Sequence, residues 1–348
     1  MDRKAFVKLA GASPALASPI YAGGSDGNPD GDASGTVSGT PSLDSQTPFT
    51  FYSPLAEQWY RAGQYFEWTS TTRNNEGRRV NVFYRTFGNR SNPALVIFHG
   101  YYRHSFDWRE FIPFLEEDYF VAILDFPGFG LAGDTSSDPT FPDLSATLAE
   151  FVAALDLSDI TLVVHDLGGP VAIGAVAADS SRYRAMVLTN TFAWEPDKRS
   201  LRAMLRVMGS RSFEWLDLRT NLMPAMSGTR FGVGRRLSPA GKRAFRGPLH
   251  DRARLRRFHR LMRSAVTSPE FMATIEATTK EEINDLPVLT IFGARNDPWR
   301  FQRRHAEVFP DHEGHIIPKG YHFPMMDEPD LFAELIRDWI ARRVLAGS

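Results

Sequence analysis

A mostly parallel, doubly wound α/β sheet with an inserted helical cap is the fold this sequence predicts. The apolar runs at residues 94–98, 120–124 and 160–164 are continuous rather than alternating. Continuous runs fit parallel strands covered on both faces. Between strands, Leu144, Leu148, Phe151, Val152 and Leu155 recur at helical spacing, as Leu331, Phe332, Leu335, Ile336, Trp339 and Ile340 do near the C-terminus. Strands alternating with amphipathic helices build one sheet with helices on both faces.

The first 22 residues resemble an export address of the twin-arginine type, with Arg3-Lys4 standing for the usual pair. A weakly apolar stretch follows and ends in Ile20-Tyr21-Ala22. Export is therefore expected, and a cytoplasmic tail is the plainer alternative. Residues 23–48 are rich in Gly, Ser, Thr, Asp and Pro and read as a linker, because such a composition buries too little apolar surface to offset the entropy of ordering. The core should begin at about residue 49 and run to 194. It opens with an antiparallel hairpin at residues 65–69 and 80–85 and continues through the three apolar strands and one at 185–189. Residues 195–284 show no strand signal and read as the helical cap. The core then resumes over 285–348 with strands at 288–292 and 315–317. A final helix follows, for which Asp327 is the expected N-cap, with Pro329 in the first turn.

Composition narrows the chemistry. A net charge of −1 points to no nucleic-acid partner, and there is no cysteine, so disulfides, thiolate metal sites and cysteine nucleophiles are excluded. No apolar run is long enough for a membrane-spanning helix. Residues 198–263 carry 16 Arg and 2 Lys against 3 acidic residues. That could favour anionic substrates or an anionic membrane surface, but a solvated basic face is the plainer reading.

The most informative residue is Asp166. It lies in the run Val163-Val164-His165-Asp166-Leu167-Gly168-Gly169, a strand leading through a tight turn into a helix. This is the nucleophile-elbow layout of α/β-hydrolases with Asp in place of Ser. A carboxylate is already ionised at neutral pH and needs no base to activate it. It suits displacement at an sp3 carbon, because attack on an acyl carbon would leave an anhydride. Asp297, in Gly293-Ala294-Arg295-Asn296-Asp297-Pro298, and His322, in Gly320-Tyr321-His322-Phe323-Pro324, complete the order nucleophile, acid, histidine. Each is expected on a loop after a strand, where open parallel sheets place their sites. His322 would activate the water that hydrolyses the ester, and Asp297 would orient its imidazole. His99 and His165 read as structural, and no histidine and carboxylate spacing suggests a metal site.

Over roughly residues 60 to 345 the chain resembles the haloalkane dehalogenases. The resemblance rests on His99-Gly100, Trp108-Arg109, Ile112-Pro113-Phe114-Leu115, Asp125-Phe126-Pro127-Gly128-Phe129-Gly130 and Leu188-Thr189-Asn190-Thr191. It implies hydrolysis of a carbon–halogen bond in a small apolar molecule, with water and no cofactor. It also implies an oxyanion hole from the backbone N–H groups of Tyr101 and Leu167. The chain departs from that family where the leaving halide is held: Leu167 replaces a tryptophan, and Tyr101 a glutamate or asparagine. Trp194, Trp215 and Asn190 are the candidate substitutes, Trp194 first among them, because a halide leaving into a dry pocket needs donors. An epoxide hydrolase would use the same ester, yet no tyrosine lies between Tyr183 and Tyr321 to open the ring. A cofactor-free oxygenase or luciferase-like enzyme on the same scaffold is the remaining alternative.

Overall fold

The computed structural model describes residues 53–70, 76–101, 103–133, 139–230, 232–247 and 251–345. The expected export address and linker lie outside them. Among the described residues the sheet has eight strands: β1 (Gln64–Thr69), β2 (Arg79–Phe87), β3 (Ala94–Phe98), β4 (Phe120–Leu124), β5 (Ile160–His165), β6 (Tyr183–Thr189), β7 (Val288–Gly293) and β8 (His312–Ile317). Their order is β1-β2-β4-β3-β5-β6-β7-β8. β2 pairs antiparallel with β1 and β4, and every later pairing is parallel. β3, β4, β5 and β7 are buried at every residue, as continuous apolar runs require.

Helices cover both faces. α1 (Pro54–Arg61) precedes the sheet, α2 (Phe141–Ala154) follows β4, and α3 (Gly168–Ala178) follows β5. α2 starts at a capping box, in which the Thr140 hydroxyl accepts from Asp143 N–H and the Asp143 carboxylate accepts from Thr140 N–H. Its residues Leu144, Leu148, Phe151 and Val152 are buried in one core layer with β3 and β5. A second layer forms on the opposite face, where Phe332, Ile336 and Trp339 pack with Leu95, Ile97 and Val163.

Between β6 and β7 the chain leaves the sheet for α4 (Arg199–Met208), α5 (Arg211–Thr220), α6 (Leu222–Ser227), α7 (Pro239–Arg246), α8 (Arg252–Thr267) and α9 (Pro269–Glu281). Several bonds tie this segment to the loops at the carboxyl ends of the strands. Arg254 donates to the carbonyls of Gly130 and Ala132, and Arg103 to that of Phe245. Arg254 and Arg257 are buried, while most arginines of the segment, Arg206, Arg211 and Arg219 among them, are exposed. After β7 come α10 (Phe301–Val308), β8, the short α11 (Pro324–Asp327) and α12 (Pro329–Trp339). One expectation fails here. Asp327 ends α11 rather than capping α12, whose N-cap is Glu328. The Asp327 carboxylate instead accepts from the backbone N–H groups of Gly234, Arg235 and Tyr321, tying the helical segment to the His322 loop.

Candidate active site

β5 delivers Asp166 into a left-handed backbone conformation, φ 55°. Most L-residues avoid that region, so the surroundings must hold it there. The Asp166 N–H donates to the Thr189 carbonyl, its carbonyl accepts from Gly169 N–H, and the Thr191 hydroxyl donates to the same carbonyl. The turn needs the two positions after Leu167 to lack side chains. A Cβ on Gly168 would lie 2.8 Å from the His99 carbonyl oxygen, and one on Gly169 would lie 2.0 Å from Thr191 Oγ1. Leu167 is buried and N-caps α3, so the helix starts directly behind the carboxylate.

Among the described residues, two groups hold that carboxylate. Tyr101 N–H donates to Oδ1 at 3.2 Å, and His322 Nε2 stands 3.4 Å from Oδ2. The two side chains keep about a quarter of their surface exposed, 27% for Asp166 and 24% for His322. Tyr101 is placed from below by His99. Its Nδ1–H donates to the Gly100 carbonyl at 2.7 Å, and its Nε2 accepts from Phe126 N–H at 3.0 Å. Burial pushes His99 down to about 3, so it is neutral at physiological pH.

His322 is positioned from two sides. His165 Nε2–H donates to its carbonyl at 2.7 Å, and the Asn190 amide donates to the same carbonyl and to that of Tyr321. Burial lowers the basicity of His322; Asp166 raises it and Arg103 lowers it further. At its Nδ1 stands the Asn296 amide, at 3.0 Å.

Asp297, the expected orienting acid, is elsewhere. Its Oδ1 accepts from Phe301 N–H at 2.6 Å and its Oδ2 from Gln302 N–H at 3.1 Å. It caps α10, where Arg300 at φ 59° offers no side-chain cap. Burial raises its proton affinity, and the backbone N–H bonds pull it back down. The reason is a tight turn: Asn296 N–H closes back on the Gly293 carbonyl, while Ala294 and Arg295 donate to Ile317 and Gly320. That turn aims residue 296 at the imidazole and residue 297 at the helix. Among the described residues, Asp166 is the one carboxylate at ion-pair distance from His322.

Of the candidate leaving-group residues, Asn190 is committed to other bonds, whereas the indole N–H of Trp194 is buried with no partner among the described residues. Asn190 spends its amide N–H groups on the His322 loop, and its oxygen accepts from Gly293 N–H. Trp194 packs against Phe192, Phe301 and His305, with the Arg304 guanidinium 4.4 Å from its ring centroid. It belongs to the core beside α10. The Tyr101 hydroxyl donates to the Phe258 carbonyl of α8. Asn296, Thr191 and the role of His165 were missed in the sequence reading. Only Asn296 left a signal there, as a second polar side chain beside Asp297.

An eight-stranded sheet in this order, with an Asp elbow after β5 and a histidine after β8, is decisive together with one comparison: the alpha/beta hydrolase family matches residues 95–335. The chain belongs to that family. This alpha/beta hydrolase is 28% identical over 255 residues to haloalkane dehalogenase 2 of Mycobacterium tuberculosis, covering 71% of this chain and 87% of the relative. It is 24% identical over 283 residues to the cis-3-alkyl-4-alkyloxetan-2-one decarboxylase of Xanthomonas campestris, covering 76% and 94%. The solved haloalkane dehalogenase of Bradyrhizobium elkani superposes with a TM-score of 0.68 at 20% identity, over 77% of this chain and 96% of that one. The expected fold and the likeness to haloalkane dehalogenases both hold.

Proposed function

We propose that this hydrolase cleaves a carbon–halogen bond, or a related bond from sp3 carbon to a leaving group, through an ester on Asp166. The single observation behind this reading is the Asp166 carboxylate at the elbow, with Tyr101 N–H on one oxygen and His322 Nε2 facing the other. Oδ2 attacks carbon, and the leaving group departs with the bonding pair. Water then attacks Cγ of the ester while His322 Nε2 takes its proton. The tetrahedral oxyanion forms on Oδ1, where Tyr101 N–H already points. Collapse breaks the bond from Cγ to the alkylated oxygen, and the alcohol leaves with the proton returned by His322. The likeness to named haloalkane dehalogenases supports the choice of leaving group. The Tyr101 hydroxyl, bonded to a helix carbonyl, gives no support to epoxide opening.

The test is trapping. His322→Gln protein incubated with a panel of haloalkanes should release one equivalent of halide and keep an alkyl group on the Asp166 peptide, read by mass spectrometry. Folded protein that carries no adduct and releases no halide would sink the reading.

A further inference from the structure

The histidine of this site has an amide where a charged acid would be expected, and that choice has a kinetic consequence. Asn296 meets His322 Nδ1 at 3.0 Å, while Asp297 turns both oxygens toward the first N–H groups of α10. We propose that Asn296 is the positioning residue of His322, and that its neutrality makes hydrolysis of the Asp166 ester the slow step, so that the ester accumulates. This rests on the ester chemistry proposed above.

A carboxylate at Nδ1 can only accept a hydrogen bond, which holds the proton on Nδ1 and leaves Nε2 free as a base. An amide can donate from one end or accept at the other, so it tolerates either tautomer and enforces neither. In the resting site the ionised Asp166 favours a proton on Nε2, the atom that faces it. Esterification removes that charge. His322 must then hold its proton on Nδ1, with the amide oxygen turned toward it, before Nε2 can take a proton from water. Among the described residues, the imidazolium formed in that step meets no anion at Nδ1. The other groups facing it do not compensate: the His165 ring is 4.7 Å away, held neutral by burial, and Arg103 is cationic. The first step needs no base and is not slowed.

Two measurements on the full-length protein decide the matter. The first needs no substrate: an NMR titration of the His322 ring in wild type, Asn296→Asp and Asp297→Asn. Asn296→Asp should raise the His322 midpoint, because an anion at Nδ1 favours the cation, and Asp297→Asn should leave it in place. A midpoint that falls in Asp297→Asn and ignores Asn296→Asp would overturn the assignment. The second is rapid-quench mass spectrometry with a haloalkane that the protein converts. Wild type should show a burst of halide and a standing population of ester on Asp166. Asn296→Asp should speed ester breakdown by at least about 10-fold, since exchange of a triad acid for its amide is worth up to about 10⁴ elsewhere. Asn296→Ala is the alternative variant if Asn296→Asp fails to fold, and it should slow the same step. A wild-type ester that never accumulates during turnover would refute the slow-step proposal. Failure of every substrate to form an ester would sink the function proposed above, and the titration would still decide the role of Asn296.

Discussion

The loop after β5 and the loop after β7 both bring polar side chains to the same imidazole, yet they are built on different principles. At the first, close contacts with backbone and packed side chains leave little room for another arrangement. Gly168 and Gly169 have no room for a Cβ, Gly100 would place one 2.3 Å from His165 Nδ1, and Asp166 is left at φ 55°. At the second, a turn of a few residues decides which of two adjacent polar residues faces the site. The difference teaches that steric closure fixes the place of a side chain more firmly than chemical suitability does.

The strongest way to break the comparison is to remove the carboxylate while keeping its shape. Asp166→Asn should reduce turnover by roughly 10⁴-fold or more, the scale on which loss of a nucleophile acts. Circular dichroism should be unchanged, because Asn tolerates the left-handed region about as well as Asp. Labelled water offers a check on the wild type, since oxygen-18 should enter the Asp166 side chain during turnover. Turnover that persists in Asp166→Asn would mean the elbow is a scaffold and the chemistry lies elsewhere.

A smaller effect tests the steric argument itself. Gly169→Ala should cost about 1–3 kcal/mol in urea unfolding, because its Cβ would sit 2.0 Å from Thr191 Oγ1 in a packed interior. Thr191→Ala placed in the same chain should recover part of that loss. If Gly169→Ala is as stable as wild type, the elbow is looser than its contacts imply.

These contrasts explain what could be read from the sequence. The strands were legible because residues buried on both faces must be apolar throughout, as β3, β4 and β5 are. Asp166 stands out because it follows such a strand, β5, whereas His322 follows the half-exposed β8 and is marked by its place before the final helices. In the sequence Asp297 is the better acid, whereas the fold aims Asn296 at His322 and uses the Asp297 carboxylate to cap α10. Asn190 and Trp194 are expected at a leaving group because each carries an N–H donor, and the fold gives both side chains other neighbours. Those neighbours, the Tyr321 and His322 carbonyls and the α10 side chains, are distant in sequence and leave no local pattern.

Acid should attack the elbow side of the site. His99 is pushed down to about 3 and His165 well below its usual value, both chiefly by burial. An unfolded chain would bind these protons near pH 6.5. A depressed folded value means the stabilisation is fully present above about 6.5 and is lost as pH falls toward the folded values. Urea unfolding between pH 7 and pH 4 should therefore lose on the order of 1 kcal/mol per pH unit for each such histidine. His305, pushed down to about 4 beside Trp194, adds to the same trend. A stability curve flat across this window would mean these rings accept protons without opening the fold.

The smallest effect isolates Asp297. If it is the cap of α10, Asp297→Ala should cost about 0.5–2 kcal/mol, the range for losing a capping carboxylate. The loss should appear as faster amide exchange at Phe301 and Gln302, whose N–H groups it now satisfies. Because burial raises its proton affinity, the ionised form carries a penalty that partly offsets those bonds, and the measured cost should sit toward the low end at neutral pH. If it were instead the partner of His322, the variant would leave α10 intact and cut turnover by orders of magnitude. Stability and turnover thus move in opposite proportion under the two assignments, so one variant measured both ways separates a helix cap from a catalytic acid.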